Sequence, residues 1–285
     1  DTNALLEANP NIGGITYIDD IKDLFRQKIN QLYTTNAKVI CNWYEDDAKP
    51  YTIADYRRWL NSEYCDKADY VIWGETDCLV PREIFKVLSH IKESATDINR
   101  YVVAFADRKM WDLSWKILEH PKFTDLPYYE KTDPEAFTEL HSIRRPMSLE
   151  EMYSVNDEAE DIDIFATYRP KFDGSLLCIS NDLIKAGANI PRGFIGLSGE
   201  DEAFMYNCMK IMGNDYVQFI VKNIKKAHNR EHPKKRLYCK DIEGNDSPQQ
   251  NKGGWYKKIR EMNKKNLQIL LSGQGKFLTW DDLKQ

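Results

Sequence analysis

Apolar residues recur every three or four positions in some stretches of the chain and form short continuous runs in others. The first pattern predicts amphipathic helices, and the second predicts buried strands. Up to residue 106 the predicted elements are a strand over 15–18, a helix over 20–33, a strand over Ala37–Tyr44, a helix over Ile53–Tyr64, a strand over Asp69–Gly74, a helix from Pro81 to Ile91 and a strand over Tyr101–Ala106. Because strands and helices alternate, we expect an α/β fold with right-handed crossovers and a mostly parallel central sheet.

The same two patterns return in the second half of the chain after a less regular stretch. Residues 107–170 contain several prolines and the acidic segment Asp157–Asp163, and we interpret them as an irregular insertion or lid, helical over Leu149–Tyr153. The later predicted elements are a strand over Gly174–Ile179, a helix over Asp182–Ala186, a helix that begins at Gly199–Glu202, a strand over Tyr216–Ile220 and a helix over Trp255–Leu271.

The charge of the chain is unevenly distributed. Residues 222–270 contain 14 Lys and Arg against 5 Asp and Glu, a net charge of +9, whereas the rest of the chain carries −14. A basic segment of this kind suggests an anionic partner, which would be a diphosphate, a membrane surface or nucleic acid. A solvated helix face next to a basic loop is the alternative.

Length and composition restrict the class of protein. The chain has 285 residues, of which 42% are apolar, so it can form one large α/β domain and is not a disordered protein. Its six Cys are widely spaced and mostly lie in apolar runs, which favours buried thiols over disulfides or a zinc site. No apolar run is long enough to span a bilayer, and no signal-peptide pattern is present, so we expect a cytoplasmic protein.

Acidic residues follow two of the predicted strands. Asp46 and Asp47 follow one strand, and Glu75, Thr76 and Asp77 follow another. Parallel sheets bind ligands at the carboxyl ends of their strands. Two carboxylates at positions i and i+2 of an extended segment point the same way, so Glu75 and Asp77 can reach one divalent ion. Such an ion can neutralise the phosphates of a nucleotide, although a polar turn after a strand is the simpler reading.

A second acidic group lies at the predicted start of a helix, in Gly199-Glu200-Asp201-Glu202. Either Glu200 or Asp201 is a candidate general base that takes a proton from an acceptor hydroxyl. Ordinary stabilisation of a helix N-terminus by acids is the alternative.

Further along the chain, His228 is a candidate ligand for a transition metal such as manganese, or else a surface residue of a polar loop. The basic residues that follow it, among them Arg230 and Lys234, are candidates for holding a diphosphate.

The order of these segments resembles that of the GT-A glycosyltransferases, especially their family-2-like group. Residues 69–77 are similar to the family's strand and DxD-type motif, with Glu75 in place of the first Asp. Residues 172–179 are similar to its acceptor-side segment, Gly199–Glu202 looks like its Glu-Asp motif, and His228 stands where many members have a third metal ligand. The resemblance covers roughly residues 13–235.

This resemblance implies a Rossmann-like GT-A fold and a metal-dependent transfer of a sugar from a UDP- or GDP-linked donor to an acceptor hydroxyl. It implies that Asp77 and His228 bind Mn²⁺ or Mg²⁺ and that Glu75 contacts the ribose, or the metal through water. Asp201 would be the general base, with Glu200 as its competitor, in an inverting single displacement. The nucleotide-sugar contacts that it implies are those of Asp46, Asp47, Arg57, Asn61, Glu75, Thr76, Asp77 and Gly174.

The resemblance also suggests a domain division. Residues 1–235 form a catalytic domain, with a nucleotide-binding half over 1–106, the insertion over 107–170 and an acceptor half over 171–235, and residues 236–285 form a basic extension. Together with the basic segment, the resemblance suggests that the acceptor is an anionic polymer, either modified DNA or a polysaccharide.

Two other classes of protein stay open. One is a nucleotidyltransferase that acts on a sugar phosphate. The other is a non-catalytic module that binds sugars or nucleic acid through the basic, aromatic C-terminal stretch. For that stretch the alternative is an amphipathic helix docked on the core through Ile259, Met262, Leu267, Ile269 and Leu270.

Overall fold

The computed structural model describes residues 53–75, 78–111, 114–118, 149–167, 174–194, 199–228 and 254–283. The elements predicted within 15–44 lie outside these ranges. The helices are α1 (Ile53–Tyr64), α2 (Ile84–Ser94), α3 (Leu149–Asp157), α4 (Asn181–Lys185), α5 (Glu200–Met212), α6 (Gly254–Ser272) and α7 (Trp280–Leu283). The strands are β1 (Tyr70–Gly74), β2 (Cys78–Leu79), β3 (Tyr101–Trp111), β4 (Ser114–Leu118), β5 (Ile164–Thr167), β6 (Leu176–Ser180) and β7 (Val217–His228).

The described strands form one mixed sheet in the order β1-β6-β3-β7-β2, with β4 paired to β3 and β5 paired to β7. The expectation of an α/β fold is confirmed, but the expectation of a mostly parallel sheet is wrong for these strands. Only β3 and β7 pair in parallel, and the other described pairs are antiparallel.

The position of β6 explains this difference. β6 lies between β1 and β3 and runs antiparallel to both, so β1 and β3 point the same way without being neighbours. The alternation of strands and helices therefore indicated the direction of β1 and β3 but not which strand lies between them. The carboxyl ends of β1, β3 and β7 still meet at one edge of the sheet, where β6 begins.

Residues 107–170 are more regular than predicted where the structure describes them. β3 continues to Trp111 and pairs with β4, and β5 pairs with β7, so both belong to the central sheet. The helix predicted over Leu149–Tyr153 is present as α3 and extends to Asp157.

Helices cover the sheet on both faces, which explains why every residue of β6 is buried. One core cluster packs Trp73 and Leu177 of the sheet against Phe204 of α5. The other packs Val103 and its neighbours against the apolar face of α2. These two clusters pack the strands from both faces, so the loops at the carboxyl edge of the sheet extend from a buried core.

The helix predicted over Trp255–Leu271 is present as α6, and it docks on the fold through its apolar side. Ile259 and Met262 are buried, and Leu267 and Leu270 pack against the core cluster that also contains Phe204. In the described ranges, no helix combines the length and the apolar character that a membrane crossing requires.

Candidate functional site

The guanidinium of Arg57 joins three segments that are far apart in the sequence. Arg57 Nη1 donates to Glu200 Oε1 at 2.6 Å, and Nη2 donates to Glu75 Oε1 at 3.2 Å. The same Nη2 also donates to the carbonyl oxygen of Gly174. Because these residues follow β1, precede β6 and start α5, Arg57 gathers the three predicted site segments at the carboxyl edge of the sheet. We call Arg57, Glu75, Gly174 and Glu200 the Arg57 cluster.

The geometry of the Arg57 cluster suits arginine. A guanidinium presents five donors in a rigid plane and so serves acceptors in fixed directions from two nitrogens, whereas an ammonium has three donors on a single nitrogen at the end of a flexible stem. Arg57 is only 4% exposed, and its Cζ lies 4.9 Å from the ring centroid of Trp73 on β1. The plane of the guanidinium is therefore held by hydrogen bonds and by an aromatic ring.

Gly174 allows the close approach of Arg57. A Cβ atom at this position would lie 2.5 Å from Arg57 Nη1, closer than real Cβ contacts occur. Any side chain at position 174 would therefore push the guanidinium away from the two carboxylates.

Asn61, which the resemblance placed at the nucleotide, is fully buried in the structure. Its Oδ1 accepts a hydrogen bond from Trp73 Nε1 at 2.9 Å, and its Nδ2 donates to Asn189 Oδ1 at 3.1 Å. Asn61 thus fixes the indole against which Arg57 lies. In this conformation Asn61 supports the Arg57 cluster through Trp73, and its side chain is shielded from solvent.

Glu200 is the first residue of α5 and is 7% exposed. The residue before it, Gly199, has a φ of 85°, a left-handed conformation that favours glycine and lets the chain turn sharply into the helix. Burial raises the pKa of the Glu200 carboxyl from 4.5 to about 7, although the charge of Arg57 acts in the opposite direction. The negative charge of neighbouring Asp201 adds to the rise.

Asp201 is half-buried, in contrast to Glu200. Its Oδ1 accepts a hydrogen bond from the backbone N–H of Glu202 at 2.9 Å, so the carboxylate lies at the positive N-terminal end of α5. Of the two predicted bases, Asp201 is the more accessible to a substrate, and Glu200 is engaged by Arg57.

A second buried cation, Lys226 of β7, contacts the residue that follows Gly174. Lys226 is fully buried and its Nζ donates to Ser175 Oγ. The carbonyl oxygen of Ser175 in turn accepts a hydrogen bond from the backbone N–H of Glu75 at 3.1 Å. Ser175 and Lys226 were not among the predicted site residues. The signal for Lys226 was a pair of lysines that interrupts an apolar strand pattern.

The backbone of His228 lies next to the acidic motif. His228 ends β7 and is paired with Cys78 of β2, the residue that directly follows Asp77. Residues paired in this way have Cα atoms about 4.5–5.5 Å apart. The structure therefore places the backbone of His228 beside Cys78 at this edge of the sheet.

The remaining predicted site residues lie outside the described part of the chain: Asp46, Asp47, Thr76, Asp77, Arg230 and Lys234. Among the described residues there is no group of three or more His, Cys, Asp or Glu side chains placed to hold a metal ion. The side chains of the predicted metal ligands Asp77 and His228 lie outside the described part of the structure.

Comparison with known proteins does not identify a family. No protein-family model matches the chain. No curated protein matches it either. What the chain does must therefore be inferred from the Arg57 cluster and its surroundings.

Proposed function

We propose that the chain is a metal-dependent glycosyltransferase that moves a sugar from a nucleotide-sugar donor to an acceptor hydroxyl. One observation carries the proposal: Arg57 hydrogen-bonds both Glu75 and Glu200, which are 125 positions apart in the sequence. This contact supports a single site for the two acidic motifs predicted to bind the donor and to activate the acceptor. The donor and the acceptor must be held next to each other for the sugar to be transferred.

On the donor side, Glu75, Asp77 and His228 would hold Mn²⁺ or Mg²⁺. Carboxylate oxygens suit both ions and an imidazole nitrogen suits Mn²⁺, and the Cys78–His228 strand pair keeps the backbone of these segments together. When bound, the ion supplies positive charge that neutralises the diphosphate leaving group. Glu75 Oε1 is engaged by Arg57, which favours an indirect role for Glu75 and leaves Asp77 as the main carboxylate ligand.

On the acceptor side, Asp201 is the general base and Glu200 is a positioning residue. The Asp201 carboxylate takes the proton of the acceptor hydroxyl while the hydroxyl oxygen forms a bond to C1 of the sugar. The bond between C1 and the diphosphate oxygen breaks in the same step, so the configuration at C1 is inverted. Glu200 fits the supporting role because its carboxylate is buried and bonded to Arg57 at 2.6 Å.

The experiment is a thermal-shift and donor-hydrolysis screen with UDP-sugars, GDP-sugars and other nucleotide sugars, each with and without Mn²⁺ or Mg²⁺. We expect one class of donor to stabilise the protein only when the metal is present, and Asp77→Ala to abolish that stabilisation. Asp201→Asn is expected to keep donor binding and to lose transfer. Asp215→Asn is the matched control, because Asp215 is exposed and lies at the opposite end of β7.

Three results would contradict the proposal. Donor binding that is equally tight with and without metal would contradict the metal-dependent mechanism proposed for the donor side. Nucleotide transfer to a sugar phosphate, in place of sugar transfer, would identify a nucleotidyltransferase. Binding of free sugars or nucleic acid with no turnover of any donor would indicate a non-catalytic module.

A further inference from the structure

The exposed side of α6 is strongly cationic. Lys258, Arg260, Lys264 and Lys265 are exposed, and Glu261 is the acid among them. The opposite side of α6 is used for packing. The helix therefore cannot turn its apolar side outward without leaving the core.

The four cations form two rows on the exposed side. With about 100° of rotation per residue, Arg260 and Lys264 lie along one edge, and Lys258 and Lys265 lie along the other. Lys258 and Lys265 are seven residues apart, which is about 10 Å along the helix axis. Four charges spread over this distance cannot converge on a single diphosphate, and they fit a polymer with regularly spaced negative charges.

This cationic surface lies on the same side of the sheet as the Arg57 cluster. Leu267 of α6 packs on the core cluster that contains Phe204 of α5, the helix that begins with Glu200 and Asp201. In addition, Asn266 Nδ2 donates to the carbonyl oxygen of Gly193, in the segment that leads towards α5, at 2.6 Å. A polymer bound along α6 would therefore run close to the helix that carries the proposed general base.

We propose that Lys258, Arg260, Lys264 and Lys265 form a docking surface for nucleic acid. Duplex DNA carries one negative charge per about 1.7 Å of its axis, so a stretch of about 10 Å offers more phosphates than there are cations on this surface, and each cation can find a phosphate partner. The surface belongs to the segment 222–270, which has a net charge of +9, whereas the rest of the chain carries −14. Binding here is independent of catalysis, whereas a role of the bound nucleic acid as the sugar acceptor rests on the proposed function.

An anionic membrane fits this surface less well. Helices that bind at a lipid interface insert an apolar face between the headgroups. On α6 the apolar side is directed into the core, and among the described residues of this helix the exposed large apolar side chain is Leu271, 44% exposed.

The test measures binding of the full chain to a fluorescent DNA duplex by anisotropy over a series of salt concentrations. We expect Lys258→Gln/Lys265→Gln to weaken binding about tenfold and to reduce the slope of log K against log salt by about two, because two phosphate contacts are lost. Lys86→Gln/Lys92→Gln on α2 is the control. It removes the same charge from exposed residues and should leave binding within about twofold of the unchanged chain.

Equal losses in both variants would overturn the proposal, because net charge alone would then explain the binding. Tighter, α6-dependent binding of an acidic polysaccharide or of vesicles with anionic lipid would also overturn it. Metal-dependent stabilisation by a nucleotide sugar should be unchanged in Lys258→Gln/Lys265→Gln. If that stabilisation is absent in every variant while DNA binding persists, the proposed catalytic function fails and the docking surface stands.

Discussion

Arg57 connects the segments of the candidate site through its side chain. Its guanidinium contacts two carboxylates and a backbone carbonyl while lying against Trp73. A buried arginine is costly to desolvate, so its charge has to be matched by acids that are fixed in place. Glu200 and Glu75 provide that match, and the acids become fixed by the same contacts.

Gly174→Ala is expected to destabilise the protein by about 1–3 kcal/mol, because the added methyl group meets the Arg57 guanidinium at 2.5 Å. The free energy of unfolding in urea measures this change. Gly74→Ala is the matched control at the end of β1, since a Cβ there meets no atom within 4 Å. Equal effects at the two glycines would show that close approach to Arg57 is not the reason for Gly174.

Glu200→Gln is expected to change how stability depends on pH. The folded protein keeps a proton on Glu200 up to a pKa of about 7, whereas a carboxyl at its ordinary value of 4.5 releases it earlier. The raised pKa therefore contributes stability that is fully present below pH 4.5 and is lost as the pH rises through 7. Relative to Glu200→Gln, the unchanged chain should lose stability across this window.

Urea unfolding at several pH values from below 4.5 to above 7 checks this expectation. Glu93→Gln provides the control, because Glu93 is exposed on α2. If the curves of the unchanged chain and of Glu200→Gln run parallel over the whole window, the burial of Glu200 does not control its protonation.

At the level of single residues, the sequence indicated the acids of the site better than the cations. Glu75 and Glu200 stand out because they directly follow or precede an apolar segment at a predicted element boundary. Arg57 was expected only to face the nucleotide, and Lys226 was counted only within the basic segment. A basic residue on a helix or strand looks solvent-exposed in a sequence, because its burial depends on acids and hydroxyls that arrive from distant segments.

At the level of elements, the buried amide of Asn266 ties α6 to two neighbouring segments, in addition to the apolar packing of this helix. Asn266 is fully buried, its Nδ2 donates to the carbonyl oxygens of Gly193 and Leu278, and its Oδ1 accepts from the backbone N–H of Leu278 at 2.8 Å. Asn266→Leu should destabilise the protein by about 1–3 kcal/mol, because buried backbone groups lose their partners.

Hydrogen exchange locates the effect of Asn266→Leu. The backbone N–H of Leu278 should exchange faster, while α2 on the other face of the sheet keeps its protection. Gln268→Leu changes an exposed residue of the same helix and is the control. A loss of stability as large in Gln268→Leu would show that the amide network is not what holds α6.

At the level of elements, the sequence predicted the strands of the sheet but not how they pair. In the described ranges the predicted helices and strands are present, because each depends on local periodicity. The pairing of strands was predicted incorrectly, because β6 comes late in the chain and still inserts between β1 and β3. No local pattern encodes that insertion, since β6 is apolar on both faces and would fit any buried position in the sheet.

For the whole molecule, the interleaved strands make the two halves of the chain depend on each other. β1 and β3 belong to the first half, β6 lies between them, and β7 pairs with β3 on its other side. The Arg57 cluster is interleaved in the same way, with Arg57 and Glu75 in the first half and Gly174 and Glu200 in the second. The site can therefore form only when both halves of the chain are folded together.

A fragment of residues 1–170 is accordingly expected not to fold cooperatively. Without β6 and β7, the edges of β1 and β3 lose their main backbone partners and their apolar faces lose Leu177, Phe204 and the rest of α5. Urea unfolding should show no sharp transition for this fragment, and mixing it with residues 171–285 should restore one. The control is the full chain with a protease site inserted after residue 170, which breaks the chain at the same place but leaves both pieces present. A cooperative transition of 1–170 alone would mean that the first half of the chain contains an independent domain. The contacts of Arg57 with the second half would then not be needed for folding.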